Sequence, residues 1–102
     1  MKARFGEVIG RQLDLFEREH AGLIAECDAA ERAYDAADRA EAEERYAEYL
    51  DLVESGTELL AGLRDNFAST MDEEAAAEEY EAEFNRAVRK RLPPFGLEID
   101  KR

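Results

Sequence analysis

Along the first third of the chain, Ile9, Leu13, Phe16, His20, Leu23, Cys27, Ala30 and Tyr34 follow one another at alternating intervals of four and three. That spacing holds one face of a helix turned toward a neighbour, so it predicts a single long helix over about residues 4–36. Gly6, Gly10 and Gly22 weaken it locally. The pattern lapses at Ala36-Ala37-Asp38, where Asp38 and Glu41 have the spacing of a capping box. A second helix is then expected over residues 39–68. Its apolar positions, among them Tyr46, Tyr49, Leu50, Val53, Leu60, Leu63 and Phe67, spread over roughly half the wheel. Such a broad face needs more than one neighbour.

Thr70 and Glu73 repeat the capping-box spacing and open a third helix over about residues 71–91. Its stripe, Tyr80, Phe84, Ala87 and Val88, is narrow, and Arg86, Arg89, Lys90 and Arg91 crowd its end, where cations suit the helix dipole. Pro93-Pro94 stop it. The chain therefore divides into a helical bundle, residues 1–92, and a tail, residues 93–102. In the tail, Phe95, Leu97 and Ile99 alternate with polar or small residues as in a short strand. The tail is expected to fold back over the bundle, or else to serve as a docking peptide for a partner's groove or sheet edge.

The fold class predicted is all-α: a long antiparallel hairpin with a shorter third helix, up-down-up. The two long helices are each about 45–50 Å at 1.5 Å per residue and the third only about 30 Å. The hairpin thus outruns its cover. Val8 and Leu15, seven apart, add a second apolar face to the first helix. Pairing of two hairpins into a four-helix core, a dimer, is the expected remedy. Val8, Leu15, Phe95, Leu97 and Ile99 are the candidate partner-binding residues.

Composition supports helices: the 102 residues are 45% hydrophobic and 39% charged, with 2 Pro and no Trp. The net charge of −12 argues against nucleic acid or an anionic membrane as partner, since both repel such a surface. A single cysteine, Cys27, on the apolar stripe reads as a buried thiol in a reducing compartment. The N-terminal stretch carries charges where a signal peptide needs an apolar run, and no segment approaches the ~18 apolar residues of a membrane span. A cytoplasmic location is expected.

Chemistry is sparse. Ser55 and Ser69 have no evident base, there is one histidine, and no glycine-rich phosphate loop occurs. The one suggestive pattern is Glu17 with His20, the Glu-x-x-His spacing of ferritin-like di-iron carboxylate proteins. Reflection across a turn near residue 37 sets Glu54 level with His20 and Glu58 level with Glu17. A metal-binding or metal-oxidising protein, taking iron, manganese or zinc at Glu17, His20, Glu54 and Glu58, is thus the alternative function. Against it, Glu54 lies ~130° from the centre of its helix's apolar stripe. The stretch Ala30–Leu60 resembles one hairpin of a tetratricopeptide repeat, through Ala42 and Tyr46, with Tyr49 standing where a small residue is expected. Residues 21–91 are also similar to a microtubule-interacting and transport domain. The first helix is longer than either family uses, so the likeness is that of helical hairpins in general. The favoured function is non-enzymatic: an interaction or assembly module that holds a protein partner or itself.

Overall fold

The computed structural model describes residues 4–102, and among them the chain forms five helices. They are α1 (Gly6–Glu19), α2 (Ala21–Ala36), α3 (Ala42–Ala68), α4 (Glu74–Arg91) and α5 (Pro93–Ile99). The long first helix of the sequence reading is divided at one residue. His20 leaves helical geometry (φ −120°, ψ 30°), closing α1 through its N–H on the Phe16 carbonyl and opening α2 through its own carbonyl. Its ring stays on the Phe16 ring, 4.8 Å between centroids. The break frees the two halves to pack differently: α2 runs along α3, whereas α1 packs on α4.

Of the two capping boxes, the first is half formed and the second fails. The Asp38 carboxylate accepts the Glu41 N–H at 3.1 Å, the three-residue reach of the box, and the Asp38 carbonyl accepts the Ala42 N–H at 3.0 Å, so Asp38 caps the turn that leads into α3 at Ala42. The Thr70 hydroxyl donates backward to the Phe67 carbonyl, serving the end of α3, so α4 starts at Glu74 rather than near residue 71. A short hydroxyl side chain competes for local backbone partners, and at Thr70 the end of α3 wins.

The tail corrects the reading most. It is a helix, α5, not a strand-like segment. Pro93 and Pro94 occupy its first turn, where a missing N–H costs nothing and φ is already helical. One face, Leu92, Phe95 and Ile99, is buried, and Leu97 points away, 80% exposed. Phe95 and Ile99 are core, so they are not free to grip a partner. The Phe95 ring meets Phe16 of α1 edge-on at 6.4 Å and lies against Gly56 of α3. A Cβ added at Gly56 would stand 2.6 Å from Phe95 Cζ, so only glycine lets the two helices approach this closely.

Around that contact sits the core. Tyr80 is fully buried, with Phe5, Phe67 and Phe84 rings 4.8–5.9 Å away. Its hydroxyl donates to Gln12 Oε1 at 2.8 Å, which ties α4 to α1. Glu83, nearly buried, accepts the Phe5 N–H at 2.9 Å, a carboxylate set against the start of α1 where the helix dipole favours it. Arg64 is buried too. Its guanidinium donates to Asn85 Oδ1, to Asp65 Oδ1 and to the Ile99 carbonyl at the end of α5, joining three helices. With these partners its charge is satisfied without open solvent.

The Gly56–Phe95 contact predicts a specific coupling. Gly56→Ala destabilises the protein by about 1–3 kcal/mol through overpacking, and Phe95→Ala by about 3–5 kcal/mol through cavity formation. In the double variant the alanine methyl fills space the ring has left, so urea denaturation shows a loss well short of the two single losses combined. Additive losses would mean that the two residues do not share this contact.

Candidate partner-binding surface

The buried core stops short of the hairpin's end. On α2 the last buried residue is Cys27, and on α3 the first is Val53; between them, residues 28–52, none is buried. This outer hairpin is an arm of two helices, joined to the core at its base through Tyr49 and Leu52. The molecule is accordingly elongated, 52 × 24 × 23 Å. Its helices are antiparallel, with Tyr34 opposite Tyr46 (rings 5.1 Å apart) and Glu31 opposite Tyr49 (hydroxyl to carboxylate 3.4 Å). Tyr34, Tyr46 and Leu50 remain 38–44% exposed. Toward the turn, two helices with only each other for cover bury too little apolar surface to be rigid by themselves.

At the arm's base the surface is concave. A recess of about 440 Å³ lies between α2 and the bend from α4 into α5, walled by Ala21, Ile24, Pro93 and Pro94, with Cys27 and Phe95 deeper. A second, of about 430 Å³, shares Asp28, Pro93 and Pro94 with it and adds Glu31, Tyr49 and Leu97. The two form one trough along α2, ending on the arm. Its banks are apolar, and Asp28 and Glu31 stand along it.

An ion cluster holds the trough's inner end. Arg91 donates to both Glu17 oxygens (3.0 and 2.8 Å) and to Asp14, fixing the end of α4 to the end of α1. Those two carboxylates raise the guanidinium's pKa further above its usual range. Cys27 is buried and its thiol pKa is raised, first by burial and then by Asp28 and Glu31, so it is a poor nucleophile. Tyr49 is pushed up to about 12 by burial and by Glu31. Burial likewise takes Tyr80 to about 12, against the opposing hydrogen bond with Gln12.

The residues read from sequence as metal ligands fall in different places. Glu17 is engaged with Arg91, and Glu54 lies 3.8 Å from Arg102. Glu58 is exposed on α3. His20 lines a small recess with Leu59 and Leu63, further along α3 than Glu54. The turn fills residues 37–41 rather than centring on 37, which shifts the register by several residues. Among the described residues no three His, Cys, Asp or Glu side chains are grouped to hold a metal ion. Of the expected partner-binding residues, Phe95 and Ile99 are internal, Val8 packs partly on the core, and Leu15 (49% exposed) and Leu97 remain on the surface. Pro94 and Tyr49, which share the trough with Leu97, were not singled out as site residues. The signal available was the Pro-Pro start of a helix whose i, i+4 pair, Phe95 and Ile99, turns Leu97 outward.

Comparison with protein-family models, curated protein sequences and solved structures finds no match to the chain. No described helix is long and apolar enough to cross a membrane.

The two raised tyrosines give a pH test. Their folded-state pKa values exceed the ordinary 10, so the folded protein holds these protons more tightly than the unfolded chain. Their contribution to stability is intact below pH 10 and is lost as pH rises toward 12. Phenolate absorbance near 295 nm should therefore show a late component that Tyr49→Phe and Tyr80→Phe each reduce. Loss of absorbance from the component titrating near pH 10, with the late component intact in both variants, contradicts these environments.

Proposed function

We propose that this chain is a non-enzymatic assembly module that holds a helical protein partner against its α2–α3 arm. The observation that carries the reading is the 25-residue stretch, Asp28–Leu52, in which no side chain is buried although Tyr34, Tyr46, Tyr49 and Leu50 lie along it. Two helices joined by aromatic contacts make half of a four-helix core, and the missing half has to come from another chain. The partner's helix would gain the desolvation of these tyrosines, a residue type that supplies much contact area at low entropic cost. The closed body, by contrast, has its aromatic side chains engaged with one another and serves to hold the arm out.

Photocrosslinking tests this in the native host at native expression. A benzophenone side chain placed at Tyr34 or Tyr46 should give adducts with another polypeptide chain, whereas one at exposed Glu74, on the body, should not. Absence of any adduct from both arm positions contradicts the proposal.

A further inference from the structure

Accepting the arm as a docking surface, we propose that its occupant is a basic amphipathic helix of another protein, seated in the trough along α2 with its apolar ridge on Pro94, Leu97 and Tyr49 and its cations on Asp28 and Glu31. Two features of this face choose that chemistry. The banks are apolar, and Leu97, 80% exposed, is the most exposed large apolar side chain described. An aliphatic ridge is what such a bank desolvates. The charge is acidic: the trough's lining carries Glu17, Asp28 and Glu31 against Arg91, which is already bonded to Glu17 and Asp14. The arm beyond it, residues 28–52, holds nine carboxylates against three arginines. A helix carrying Lys or Arg beside its ridge meets this potential favourably, and one carrying Glu is rejected by it.

The same charge argues against a second copy laid arm against arm, which would set nine carboxylates against nine. Nor do the described residues include a basic helix whose apolar side is free to offer. Its most basic helical stretch ends α4, where Arg89 is paired with Asp100, and Arg91 with Glu17 and Asp14. The apolar side of that stretch, Phe84 and Val88, is buried inside the body. Charge complementarity therefore points outward, to a different protein.

The probe is a designed Leu/Lys amphipathic helix of about 18 residues, long enough to be helical when docked. It is compared with a scrambled peptide of equal composition and with a Leu/Glu version. Fluorescence anisotropy at physiological salt should show the amphipathic peptide binding at least about tenfold more tightly than the scrambled one, and the Leu/Glu peptide not binding. Leu97→Ser leaves the charge and the core untouched and should weaken binding about tenfold or more. Asp28→Asn with Glu31→Gln should weaken it and flatten its salt dependence. Amide shifts on titration should centre on residues 21–31, 49 and 94–97. Equal binding of the scrambled peptide, indifference to Leu97→Ser, or shifts centred on another face would overturn the inference. So would a dimer in sedimentation velocity that Leu97→Ser dissolves. Failure here alongside photoadducts at Tyr34 or Tyr46 would retire the basic helix alone; no adducts would retire the docking surface itself.

Discussion

The Phe95 ring occupies the space that any side chain at position 56 would need, and the rest of the fold is arranged around that fit. It brings α5 onto α3, and because Phe95 also meets Phe16, it draws in α1 as well. Once α5 is seated, its terminal carbonyl at Ile99 reaches buried Arg64, which in turn holds Asn85 of α4. A glycine inside a helix costs about 1 kcal/mol relative to alanine. Burying an aromatic ring against it contributes more, on the order of 2–3 kcal/mol. The helix accepts a local weakness for a tertiary gain.

That closure divides the molecule. On one side of Cys27 and Val53 is a body in which α1, α3, α4 and α5 share a core around Tyr80, Phe84 and Phe95. On the other is an arm in which Tyr34 meets Tyr46 and Tyr49, at its base, bonds Glu31 and packs against the core. The trough lies along the boundary and exists because two irregular points are held near each other. One is the break at His20, the other the bend at Leu92–Pro94, and Arg91 bonded to Glu17 and Asp14 fastens the segments beside them. Structure and proposed function meet there: a rigid bank carrying Leu97 faces a flank carrying Asp28 and Glu31.

The helical class was legible, because spacings of three and four leave little choice for Ile9, Leu13, Phe16 and Cys27. The break at His20 was not. Histidine has an ordinary helix propensity, and what separates α1 from α2 is the pull of different neighbours on the two halves. The tail was misread because Phe95, Leu97 and Ile99 alternate, yet Leu92, Phe95 and Ile99 also fit a helix and Pro93-Pro94 suit a helix start. Gly56 sits on the buried stripe between Val53 and Leu60, and a mid-helix glycine on such a stripe signals close approach of another element. Arg64 was hidden by the rule that charge faces water; its neighbour Asp65 together with Asn85 of α4 and the Ile99 carbonyl of α5 override it. The expected Glu54–His20 level failed on the length of the turn, which periodicity does not set.

The most direct test of a closed body with an open arm is native-state amide hydrogen exchange, residue by residue. The account predicts that amides of residues 53–68 and 80–92 exchange only on global unfolding, while those of residues 28–36 and 42–50 exchange through local opening at a clearly lower free energy. Uniform protection along α2 and α3 out to the turn would contradict it, because the arm would then be as firmly held as the core.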